Sequence, residues 1–303
     1  MDKWRIKIKR SLLGFLQEFK ETCLNCGRKA EEVKVLFATK YLDSEQLVAF
    51  LEIAKDFMPL PILIGENRVQ EAEEKFDFFH AGPAASVSQT RLQTRPDMPG
   101  SNMVKPVFGM PSLALPASSS TPDKVSLDLK NYFSPILIGN LQKNKINRAI
   151  KLFDEIHAVD SLEVAEGLNR RLEVKCHAEL GSASPKQSGE IPKQVRDDKS
   201  IAMPVYLEVN VSGEETKHGF TPEEIEGVMK TMKQCSNVTI KGLMTMAPYY
   251  DDPQNSRPIF RTLRKLADKY HLQTSMGMSH DWKVAIEEGA DMIRVGQLIF
   301  NKV

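Results

Sequence analysis

Short apolar runs bounded by turn residues alternate along this chain with longer segments whose apolar positions recur at helical spacing, the pattern of parallel strands joined by helices. Eight such runs can be marked, at residues 33–39 (VKVLFAT), 60–64, 135–138, 155–159, 204–211, 238–244, 272–276 and 292–295. Helices are expected between them. One opens at Asp43 or Ser44, both good N-caps, and others read ENRVQEAEEKF after Gly65, LQKNKINRAIKLF after Gly139 and LEVAEGLNRRL after Ser161. The opening stretch MDKWRIKIKRSLLGFLQEF has amphipathic spacing and reads as an outer helix. Eight strands in βα alternation predict an α/β protein of one domain over residues 1–303, a closed (β/α)8 TIM barrel.

Two stretches break the rhythm. Residues 81–128 and 175–200 are rich in turn-forming and small residues and show no sustained period. They are expected to be surface or disordered insertions, tolerated because the cost of closing a loop grows slowly with its length.

Composition narrows the classes of function. Lys and Arg number 41 against 40 Asp and Glu, a formal charge of +1, so no global field draws the chain to nucleic acid or an anionic membrane, and any anion must be held locally. No run approaches the ~18 apolar residues that span a bilayer, so a cytoplasmic protein is expected. Of Cys23, Cys26, Cys176 and Cys235, the first two have metal or redox spacing, but no second pair completes a zinc site and they read as incidental thiols.

Barrels of this kind carry their chemistry at the carboxyl ends of the strands. Lys40 follows the first run, where an ammonium partly removed from water would become an amine nucleophile toward an aldehyde; the same position suits a solvated rim charge. The seventh and eighth runs end in Ser275-Met-Gly277-Met-Ser279 and Arg294-Val-Gly296-Gln297. Loops there commonly cradle phosphate, with Ser279 placed to cap the helix over residues 281–288, although the glycines could equally serve tight turns. An amine facing a phosphate cradle, with an arginine between them, suits pyridoxal 5'-phosphate. Arg294 can only donate, so beside the ring nitrogen it would disfavour a protonated ring and make the cofactor a poor electron sink.

Seven segments then resemble, in order, the pyridoxal phosphate homeostasis proteins. They are ATK at 38–40, GENRVQEAEEKF at 65–76, IGNLQKNK at 138–145, HAVDSLEVAEGLN at 157–169, VNVSGEETKHGF at 209–220, KGLMTMAP at 241–248 and SMGMSHDWKVAIEEGADMIRVGQLIF at 275–300. The resemblance implies a barrel like the N-terminal domain of alanine racemase, with a Schiff base on Lys40, Asn67 and Met244 along the ring, Ser279, Gly296 and the backbone of Gln297 on the phosphate, and Arg294 at the ring nitrogen. It also implies a role in vitamin B6 homeostasis; a monomer is expected, with pyridoxal phosphate and the apo-enzymes that receive it as partners. The chain departs from the family at Ile136, which stands for a His, and at Gln297, which stands for a Thr or Ser; Arg68 replaces a Tyr and Asn301 a Gly.

Two other readings compete. An amino-acid racemase of alanine-racemase type needs a second proton donor opposite the lysine, which in that enzyme comes from a further C-terminal domain; the chain's end at Val303 is expected to leave no room for one. A plain phosphate-binding barrel would use Lys40 as an anion contact. A carrier with no or very weak catalysis is therefore the leading expectation.

Overall fold

The computed structural model describes residues 2–81, 132–181, 202–214 and 217–300. Among them β1 (Lys34–Ala38), β2 (Ile62–Glu66), β3 (Phe133–Leu137), β4 (Glu155–Val159), β5 (Met203–Glu208), β6 (Val238–Met244), β7 (Gln273–Ser275) and β8 (Met292–Val295) form a closed parallel barrel in chain order. Closure is made by β1, where Leu36 stands opposite Leu63 of β2 on one side and Arg294 of β8 on the other. The helices are α1 (Asp2–Asn25), α2 (Ser44–Ala54), α3 (Val69–Ala81), α4 (Ile146–Leu152), α5 (Leu162–Gly181), α6 (Ile225–Met232), α7 (Arg257–Lys269), α8 (Trp282–Glu287) and α9 (Gln297–Phe300). The expected (β/α)8 architecture is the observed one.

Alternation within the strands splits the core into two layers. Phe37 points outward onto Phe50 of α2, which in turn meets Phe300 of α9, with ring centroids 5.0 and 5.1 Å apart. Leu36 points inward and packs with Ile136 and Met292 in a separate interior cluster. Helix α1 buries Ile8, Leu12, Phe15, Phe19 and Cys23 and packs on α2, α8 and α9, so it seals the seam between the first and last strands.

Several boundaries differ from the sequence expectation: β5 ends at Glu208 and not at residue 211, and α4 begins at Ile146 and not at Leu141. Strand β2 starts after Pro61, which has no N–H for a ladder, and runs through Gly65 and Glu66 where an end was expected. Gly65 is a packing position inside the barrel: a Cβ there would lie 2.5 Å from Leu36 Cδ2. Helix α5 continues to Gly181, into the second stretch expected to lack regular structure. Residues 82–128 and 182–200 of the two proposed insertions, and Asn301, lie outside the described residues. No helix among the described residues is long and apolar enough to cross a membrane.

Candidate functional site

At the carboxyl end of the barrel β1 stops at Ala38, and a turn closed by Leu42 N–H donating to Thr39 O (2.9 Å) carries Lys40 to the rim. The turn lifts Lys40 into solvent, the rim position that was the alternative to partial removal from water. Its Nζ lies 5.1 Å from the centre of the Tyr41 ring and makes no hydrogen bond or ion pair among the described residues. Below it a buried cluster fixes the turn. Lys75 of α3 donates to both carboxylate oxygens of Glu66 (2.9 Å each) and to Thr39 O (3.0 Å), while Thr39 Oγ1 donates to Glu66 Oε1 (2.7 Å). Burial raises the Glu66 carboxyl, opposed by the Lys75 charge and by these hydrogen bonds.

Across the mouth, the loops after β7 and β8 meet. Gly277 has φ +88, a left-handed conformation that an L side chain resists, and a Cβ there would sit 2.4 Å from Ala285 Cβ. Ser279 Oγ accepts from the backbone N–H groups of Gly296 (3.2 Å) and Leu298 (3.3 Å). It therefore caps α9 and not α8, which was the expectation; the residue before α8 is Asp281, whose carboxylate accepts from Met278 N–H at 2.6 Å. Gly296 lies against the Lys40 turn, where a Cβ would come within 3.0 Å of Ala38 O and 3.6 Å of Tyr41 Cε2. Gln297 Nε2 donates to the Tyr41 hydroxyl at 3.3 Å. The cradle and the lysine turn are thus in direct contact.

Between them, under the mouth, lies Arg294. It is buried, with NH1 against Met244 Sδ (3.1 Å) and NH2 donating to Thr245 O (2.7 Å). Burial lowers its pKa, opposed by Glu208 and Asp281. Met244 is fully buried beside Ala158 and Tyr206, and Asn67, in the turn after β2, is part-buried with a side-chain amide free of partners among the described residues. Deeper in the barrel His157 packs on Tyr206, ring centroids 4.0 Å apart, and its Nε2 is 3.1 Å from Glu155 Oε2. Burial pushes Glu155 up, but hydrogen bonds from His157 and Lys241 outweigh it and hold the carboxyl at about 2. The ionised carboxylate fixes the His157 proton on Nε2 and leaves Nδ1 buried with no partner among the described residues.

The family model described as "Alanine racemase, N-terminal domain" matches residues 125–302. A protein of Aquifex aeolicus named pyridoxal phosphate homeostasis protein is 35% identical over 294 residues, covering 95% of this chain and 94% of that one. This chain belongs to the pyridoxal phosphate homeostasis protein family. Its fold matches that of a solved protein of Bifidobacterium adolescentis, titled as unknown, with TM-score 0.68 at 25% identity over 99% of this chain and 97% of the other. It also matches PipY of Synechococcus elongatus with PLP bound, with TM-score 0.58 at 22% identity over 97% and 99%.

For this member of the homeostasis family, one barrel mouth gathers all seven residues singled out in the sequence: Lys40, Asn67, Met244, Ser279, Arg294, Gly296 and Gln297. Ile136, which stands for the family's His, is buried in the interior apolar cluster. Sequence reasoning missed the Glu66–Lys75–Thr39 cluster, Tyr41 and Glu208. Lys75 sits in the run EAEEKF, which looks like a solvated helix face; it stands three residues beyond the buried Ala72 and next to the buried Phe76, at the edge of the face turned to the barrel. Glu208 carried a usable signal, since it shares inward parity with Tyr206 at the end of a strand.

Proposed function

We propose that the chain binds pyridoxal 5'-phosphate at this mouth and holds it for intracellular vitamin B6 homeostasis with little or no turnover. One observation carries the reading: the Ser279–Gly296 cradle touches the turn that presents Lys40. The donor set fits the group. Lys40 supplies a free amine for the aldehyde, Ser279, Gly296 and the Gln297 backbone N–H suit the phosphate, and Asn67 and Met244 flank the space where a ring would lie. When bound, the cofactor supplies an aldehyde for covalent capture and a ring that can withdraw electrons.

Arg294 supports holding over chemistry. A buried guanidinium stays protonated and can only donate, so it binds a ring nitrogen as a neutral acceptor and disfavours its protonation. The relatives carry the name of homeostasis proteins, which agrees with this arrangement.

The test is the visible absorption of the purified protein before and after borohydride, followed by peptide mapping. The expected tag is on Lys40, and Lys40→Ala should lose it while remaining folded. A tag on another lysine would reassign the site. Alanine racemization at about 1 s⁻¹ or faster, the ordinary enzymatic range, would replace holding by catalysis.

A further inference from the structure

Glu208 ends β5 on the barrel's inner side, directly beside Met244 in the register with β6. Arg294 reaches over from β8 to bond the same Met244 and its neighbour Thr245. Carboxyl and guanidinium therefore face each other across one methionine, both buried, and no ion pair or hydrogen bond closes between them among the described residues. Gly219 packs on the Glu208 stem, where a Cβ would lie 3.0 Å from its Cγ, so the side chain is walled in from the β5–α6 connection. The charged groups that face it are Arg294 from β8, Asp160 from the end of β4, and Lys217 and His218 from that connection. Burial pushes its carboxyl up to about 7, with Arg294 opposing. An ordinary glutamate at a strand end would be ionised throughout the neutral range, and this one is poised to change charge within it.

We propose that Glu208 is the titrating counter-charge of Arg294, and that its ionisation sets how tightly the mouth holds an anionic, phosphate-bearing aldehyde. Neutral Glu208 leaves only Asp281 to offset the Arg294 charge and favours the anion. Ionised Glu208 cancels that charge and adds a like charge near the ligand, favouring release. Glu208 is thus a positioning residue acting through Arg294. The inference rests on the proposed binding of pyridoxal phosphate at this site.

The experiment compares pyridoxal phosphate affinity of wild type, Glu208→Gln and Glu208→Asp between about pH 6 and about pH 8, each as a ratio to the variant. Wild type should weaken relative to Glu208→Gln by about three- to tenfold as pH rises, and Glu208→Asp should keep the pH dependence. Equal profiles for wild type and Glu208→Gln would overturn the proposal. A second reading needs no ligand: the infrared spectrum of the wild type should show a protonated carboxyl band that is lost through the same pH window and is missing from Glu208→Gln, which separates it from the buried Glu66. If Glu208→Gln does not fold, the absence of that band alone overturns the proposal. A wild type that shows the band but takes up no pyridoxal phosphate would refute the functional reading instead, and with it only the ligand half of this one.

Discussion

At the scale of single residues, the site divides its labour between groups that donate and one that can do nothing else. Ser279 accepts two backbone N–H groups and still has its own proton to give, so its hydroxyl both shapes the cradle and can face a phosphate. Ser279→Ala should therefore weaken pyridoxal phosphate binding by about tenfold, the worth of roughly one charged hydrogen bond. Binding of pyridoxal, which lacks the phosphate, should change far less, and equal losses for both ligands would show that Ser279 acts only on the fold. Arg294→Glu reverses the electronics of the ring position by offering an acceptor. It should raise α-proton exchange per bound cofactor above wild type, measured with deuterated water, while lowering affinity because an anion now stands near the phosphate.

At the scale of elements, two polar clusters hold the strands in place, one buried around Glu66 and one part-buried around Glu155, and they make opposite demands on pH. Glu66 is wholly buried and depends on Lys75 of α3 for its pairing, so Lys75→Met should strand the carboxylate and destabilise the fold by about 3–5 kcal/mol in urea unfolding. The Lys75→Met, Glu66→Gln double variant should recover part of that loss. On the opposite side, Glu155 of β4 is held at about 2 by His157 and Lys241, below its unfolded value. A depressed carboxyl contributes stability that is present above the unfolded pKa and lost as pH falls through the folded one. Between about pH 4.5 and about pH 2 the wild type should therefore lose about 1–2 kcal/mol that Glu155→Gln does not lose, the shift being discounted for screening of the exposed Lys241 ammonium, as read from acid-dependent urea midpoints.

These clusters also explain what could be read from the chain beforehand. Strand β4 and the start of α2 were legible because the first is a short apolar run and the second has Asp43 and Gln46 in a capping box. The bounds of β2 were not, because Gly65 looks like a stop and only the facing Leu36 and Ile138 side chains reveal it as a packing glycine. The site residues were legible where glycine and hydroxyl residues cluster after β7 and β8. Glu66 and Lys75 were not, since a charged residue declares burial only through neighbours distant in sequence, and Glu208 was marked by strand parity alone.

For the whole molecule, the described residues alone close the ring: β2 pairs with β3 and β5 with β4 on either side of the two stretches whose sequence lacks a sustained period. We propose that neither stretch is needed for the barrel, because their composition offers no periodic apolar face to pack on it. A chain in which residues 84–129 and 183–199 are each replaced by a short Gly/Ser linker should then fold and bind. Since loop closure costs only about 0.6 kcal/mol per doubling of length, shortening should leave the melting temperature unchanged or slightly raised. The decisive reading is linkage. A ligand that binds only the folded state stabilises it by RT ln(1 + [L]/Kd), about 2.7 kcal/mol at a hundredfold excess over Kd. Pyridoxal phosphate should therefore raise the melting temperature of the shortened and the full chain by the same amount. An equal baseline with a smaller ligand shift would mean that the excised residues contribute to the mouth, and a collapsed baseline would mean that they contribute to the barrel itself.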